Sequence, residues 1–191
     1  MSARWEWRTF GAGADAGAGA FADRSPTGEA ESDEQYLLSE RGTTVKIRDG
    51  LMDVKALLAR NADGLQQWRP VLKVPFPVGA DTIEAVWTAL DLPVPAMDRE
   101  TYTAEQLVDE LTGPGTGVRA VAVHKHRVRY VVDGCISELT DVTVDGRPTR
   151  TIAVETEDAE AVAAAVRTLG LADYRNTAYP AGLTAILDDV P

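Results

Sequence analysis

Cysteine and histidine are almost absent from this 191-residue chain: one Cys, Cys135, and two His, His124 and His126. A single Cys excludes an internal disulfide framework and any zinc site built on cysteine. Two histidines supply too few ligands for a metal centre and no Ser-His-Asp constellation. No run of about 18 apolar residues occurs, so no membrane-spanning helix is expected. The N-terminal MSARWEWRTF has no apolar stretch and no cleavage pattern, which argues against a secretory signal and for a cytoplasmic protein. No P-loop of the form G-x-x-x-x-G-K-[ST] exists, and TGPGTG at 112–117 follows no strand as a dinucleotide fingerprint would. Positive charge is in deficit. There are 19 Lys and Arg against 30 Asp and Glu, a net charge of −11. An exterior of that sign argues against nucleic acid or anionic lipid on the outer surface. The length suits one domain over residues 1–191.

Turn and strand signals dominate what is present. Asp49-Gly50, Asp133-Gly134 and Asp145-Gly146 each sit between β-rich runs, where positive φ at both positions gives a type I′ hairpin. Eight strands are expected, over 4–10, 35–38, 43–49, 51–58, 67–74, 119–132, 135–144 and 149–157. Three amphipathic helices are interleaved, in DTIEAVWTALDL, TAEQLVDEL and EDAEAVAAAVRTLG, with Asp81, Thr103 and Asp158 as caps. Residues 11–33 are rich in Gly, Ala, Asp and Ser and read as a flexible insert loop. The fold class is α+β: an eight-stranded antiparallel barrel or tunnel with helices packed outside.

Side chains alternate along a strand, so each strand divides into two faces. The charged faces carry ten cations: Arg4, Arg8, Lys46, Arg48, Lys55, Arg69, Lys73, Lys125, Arg127 and Arg129. Only four acids accompany them: Glu6, Asp53, Glu155 and Glu157. A solvated face would mix the signs. If the apolar faces pack on the helices, the charged faces point inward, where cations without partners are prohibitive. A polyanionic ligand in an open tunnel resolves the conflict. Trp5, Trp7, Trp68 and Trp87 are expected to pack on the outer face, Cys135 in the core, and His124 and His126 at the surface or in packing. Tyr179 is expected in the core or against substrate.

These residues resemble the CYTH-like superfamily, the triphosphate tunnel metalloenzymes. "RWEWR" stands where that family has E-x-E-x-K, "VHKHRVRY" resembles its basic strand, "IAVETED" its late acidic strand, and "NTAYPAGLTAIL" its closing segment. The resemblance implies a tunnel that binds a triphosphate with Mg²⁺ or Mn²⁺. Arg8, Lys46, Arg48, Lys55, Arg69, Lys125, Arg127 and Arg129 would bind phosphate; Glu6, Glu138, Glu155 and Glu157 would hold the metal. Two departures stand out. Arg4 replaces the first signature acid, and Glu138 and Asp141 fall on opposite faces of one strand unless a bulge intervenes. The expected function is metal-dependent phosphohydrolysis of a triphosphate-containing small molecule, inorganic, nucleotide or thiamine. The alternative is a polyphosphate- or nucleotide-binding module with a degenerate metal site, and a third reading is a structural protein with a solvated basic face.

Overall fold

The three Asp-Gly pairs form the hairpin turns their chemistry demands. Asp49, Asp133 and Asp145 have φ of 53°, 49° and 45°, and the glycines after them 68°, 77° and 82°. The computed structural model describes residues 2–40 and 43–188. In chain order the strands are β1 (Arg4–Phe10), β2 (Gly28–Leu38), β3 (Thr44–Arg48), β4 (Leu51–Arg60), β5 (Gln66–Pro75), β6 (Val78–Gly79), β7 (Thr101–Tyr102), β8 (Arg119–Val132), β9 (Cys135–Val144) and β10 (Arg147–Thr156). The helices are α1 (Ala12–Gly17), α2 (Ala80–Ala89), α3 (Ala104–Leu111), α4 (Ala159–Thr168) and α5 (Tyr179–Asp188). Eight strands close a barrel in the order β1-β10-β9-β8-β2-β3-β4-β5, all neighbours antiparallel. The pair β6 and β7 forms a separate two-stranded sheet.

Helices cover the outside, as the alternation requires. Ile83, Val86 and Trp87 of α2 and Leu107 and Leu111 of α3 pack on Val45, Met52 and Val54. Thr103 caps α3 in a capping box with Gln106, which satisfies two backbone donors at once. Asp158 accepts from the amides of Glu160 and Ala161 and starts α4, whose Val162, Ala165 and Val166 pack with Trp7, Ile152 and Val154. Cys135 is fully buried in that same cluster. His124 and His126 project outward and hydrogen-bond with Asp33 and Glu29 at 2.9 and 2.6 Å.

Helix α5 serves the barrel differently: it plugs one end. Tyr179 and Leu183 pack among Tyr36, Val121, Val123, Val142 and Val144, all inward-facing. Gly182 permits the approach, because a Cβ there would collide with the Phe10 ring.

Residues 11–33 are structured rather than a loop. They carry α1, a 3-10 turn over 18–21, and the first half of β2, whose pairing with β8 begins at Gly28↔Arg129. Small residues are the reason. A Cβ at Gly17 would strike Leu171 and Ile152, so glycine lets α1 sit directly on the barrel, with Ala14 and Phe21 buried. Low side-chain volume here allows close packing on the barrel. Among the described residues no helix is long and apolar enough to cross a membrane.

A basic tunnel as the candidate functional site

Strand pairing decides which side chains enter the lumen, since direct cross-strand partners point the same way. Glu6 faces Glu155 across β1 and β10, and Ala153 faces Glu138 on β9. Arg129 faces Glu138, Arg127 faces Thr140, and Lys125 faces Val142 between β8 and β9. Tyr36 faces Lys46, and Lys46 faces Asp53. The result is a cavity of about 290 Å³ inside the barrel. Eight cations line it (Arg8, Lys46, Arg48, Lys55, Lys73, Lys125, Arg127 and Arg129), with four acids: Glu6, Asp53, Glu138 and Glu155. Eight of the ten cations on the charged strand faces are therefore interior.

Glu34 is the centre of the cluster, and sequence reasoning passed it by. Its side chain is wholly buried. It accepts from Lys125 Nζ at 2.8 Å, Lys46 Nζ at 2.9 Å, Arg127 Nη2 at 3.3 Å and Arg48 Nη1 at 3.5 Å. Burial alone would raise its carboxyl pKa, but Lys125 and Lys46 outweigh burial and hold it far below the usual carboxylate range. The residue fell at the border of the supposed insert. The available signal was parity: Glu34 shares the face of Tyr36.

Two tyrosines complete this end. Tyr36 and Tyr179 stack at 5.1 Å between ring centres. Lys125 Nζ lies 3.9 Å from the Tyr179 ring centre and donates to Tyr36 Oη at 2.7 Å. Arg8 sits over the other side of the cluster, 4.7 Å from the Tyr179 ring centre. Burial and neighbouring Lys46 push Lys125 well below the usual lysine pKa despite Glu34. Burial also lowers Lys46. Three buried polar atoms on the lining residues, Tyr179 Oη, Thr140 Oγ1 and Arg127 Nε, have no hydrogen-bond partner.

Two expected site residues lie elsewhere. Arg69 is exposed on the outer face, opposite Ala56. A register shift between Val54 and Lys55 breaks the parity of β5, and Trp68, expected outside, lines the tunnel instead. Glu157 follows the end of β10, is exposed, and does not line the tunnel. The other phosphate-binding candidates and Glu6, Glu138 and Glu155 converge on the lumen. Asp141 points outward and binds Arg150 at 2.8 Å, so no bulge brings it beside Glu138.

Glu6, Glu138 and Glu155 are the lumen acids that a metal would need. Each already holds an arginine: Glu6 binds Arg8 at 3.1 Å, Glu155 binds Arg4 at 2.8 Å, and Glu138 binds Arg129 at 2.8 Å. Burial would raise Glu6 and Glu138, but Arg8 chiefly outweighs it at both, and both are lowered. Among the described residues no three His, Cys, Asp or Glu side chains converge as a metal would require. The arrangement as it stands does not fit Mg²⁺ or Mn²⁺.

Closed antiparallel strands, inward cations and a helix-plugged end are now together. This is the closed eight-stranded antiparallel tunnel that the sequence led one to expect. No family model matches the chain, and no curated protein matches it in sequence. Solved structures similar to it include a conserved hypothetical protein of Pyrococcus furiosus, 14% identical, covering 94% of this chain and 98% of that one, with a TM-score of 0.46. HpAC1 of Hippeastrum, described by a dominant triphosphatase activity, is 14% identical over 90% of this chain and 89% of its own, with a TM-score of 0.46. The Pct1 RNA triphosphatase of S. pombe is 12% identical over 97% and 82%, with a TM-score of 0.33. At these scores the likenesses decide nothing about chemistry, which rests on the lumen itself.

Proposed function

We propose that the tunnel binds a compact polyanion of the triphosphate class, either inorganic tripolyphosphate or the triphosphate end of a small molecule. One observation carries this: eight cations share the lumen with five acids, Glu34 included, in a chain of net charge −11. Surplus charge enclosed in protein is costly unless an anion compensates it. A chain of phosphates offers oxygens to several Arg and Lys at once, and arginine can pair with them bidentately. The volume of about 290 Å³ suits phosphates better than a bulky organic body.

Metal-dependent hydrolysis of the bound triphosphate is a second reading. The placement of Glu6 directly across from Glu155, with Glu138 on the next strand, favours it. It requires those acids to release Arg8, Arg4 and Arg129.

The test is calorimetric titration with tripolyphosphate, once with chelator and once with Mg²⁺ or Mn²⁺, alongside phosphate release. Binding in chelator without release supports the binding tunnel. Metal-dependent release supports hydrolysis. Neither binding nor release overturns both and returns the basic face to a structural role.

A further inference from the structure

A second, larger cavity of about 870 Å³ lies beside the tunnel, and Trp68 lines both. Its origin is a split seam. Strand β1 pairs with β5 only from Arg4 to Glu6. Beyond that the segment between α4 and α5 takes over the β1 edge. Thr177 N donates to Arg8 O at 2.7 Å, and Arg8 N donates to Asn176 Oδ1 at 2.8 Å. Asn176 Nδ2 donates to Glu6 O at 3.2 Å and to Gly64 O at 2.8 Å, tying β1 to the β4–β5 turn. The cleft is framed by that turn, α4, α5 and the segment joining the two helices.

Its lining combines two chemistries. Arg60, Arg167 and Arg175 come from three separate elements, and all three are exposed. Among the described residues none of their side chains makes a hydrogen bond or ion pair, although the chain has acids in excess. Asp63 is the single acid in the lining. Between the arginines lie apolar surfaces, including Leu57 and Tyr174, which are 37% and 36% exposed, and the buried Trp7. Unpaired guanidinium groups in an acidic protein favour an anion and can grip its oxygens as a fork. The apolar walls favour a ligand with an apolar body, and the volume falls in the range of small-molecule sites.

We propose that this cleft is a second binding site, for a small organic anion that joins a flat apolar body to a phosphate, sulfonate or carboxylate. It shares Trp68 with the tunnel but differs from it in every other lining residue, and the tunnel lumen is smaller and far more polar. The proposal does not depend on what the tunnel binds.

The probe is 8-anilinonaphthalene-1-sulfonate, whose fluorescence rises on entering an apolar site, titrated into the whole protein. Saturating tripolyphosphate should leave its binding in place. Arg167→Ala combined with Arg175→Ala should weaken it at least tenfold. Both arginines are exposed and unpaired, so the fold should survive, checked by circular dichroism, and tripolyphosphate affinity should be unchanged. Adenosine 5′-monophosphate should displace the probe at far lower concentration than inorganic phosphate. Absence of a fluorescence rise overturns the proposal. So does a rise that the double variant does not weaken, displacement by tripolyphosphate, or equal potency of inorganic phosphate.

Discussion

Glu34 and Lys125, 91 positions apart in the chain, meet inside the barrel with Lys125 Nζ 2.8 Å from Glu34 Oε2. A buried carboxylate thus occupies the middle of a cation cluster that otherwise suits phosphate. Glu34→Gln removes the counter-charge of Lys46 and Lys125 and should destabilise the ligand-free protein by about 3–5 kcal/mol, as breaking a buried pair does. The same substitution should strengthen tripolyphosphate binding, since the ligand no longer competes with an internal acid. Thermal melts with and without tripolyphosphate read both effects. Weaker binding in the variant would mean that Glu34 positions the cations instead of competing for them.

Acid stability follows from the lowered carboxyls. Glu6, Glu34 and Glu138 are all held below the ordinary glutamate value of 4.5 by the cations around them. Their contribution is therefore complete above about pH 4.5 and is lost as pH falls through the folded values. Melting temperature should stay level from pH 7 to about pH 5 and decline below that. A maximum near pH 4 in a melting series would contradict these ion pairs.

On the alkaline side the lysines govern binding. Lys125 and Lys46 are lowered from 10.5, so they lose protons before an exposed lysine would. Ligand-free stability should not suffer, because the fold favours their neutral forms over the pH range between folded and unfolded values. Tripolyphosphate affinity should fall, beginning below the ordinary lysine range. Lys125→Arg keeps its charge and should flatten that fall in a titration series. An unchanged profile in the variant would remove Lys125 from the binding set.

Arg4 is the residue that separates this tunnel from the acid-rich signature it resembles. It holds Glu155 at 2.8 Å. Arg4→Glu frees Glu155 and adds a carboxylate on the same face of β1 as Glu6. Mn²⁺ affinity, measured by calorimetry without phosphate ligand, should rise at least tenfold. No rise would show that the remaining arginines, and not Arg4, keep metal out.

Asn176 makes three hydrogen bonds to backbone groups of β1 and the β4–β5 turn. Asn176→Ala leaves the Arg8 amide without its acceptor and should cost about 1–3 kcal/mol. Hydrogen exchange should show the Arg8 amide losing protection first. Uniform loss across the barrel would instead point to general destabilisation.

The sequence by itself determined the hairpins, the Thr103 and Asp158 caps, the closed antiparallel class and the inward direction of most cations, whereas Asp81, expected as a cap, lies inside α2 behind Gly79. Those follow from interactions within a few residues: the positive φ of Asp-Gly, the two-residue alternation of a strand, the reach of a cap to its own first turn. Tertiary structure decided the rest. The shift between Val54 and Lys55 sends Arg69 outward and Trp68 inward, and a one-residue slip on a period of two reverses every face beyond it. Glycines at 17 and 182 let helices approach the barrel closely, and composition alone gave no sign of the helix that Gly17 ends. Whether Glu6, Glu138 and Glu155 present free carboxylates or arginine pairs depends on which strands become neighbours. Cross-strand contacts between residues far apart in the chain set that outcome, and no local pattern encodes it.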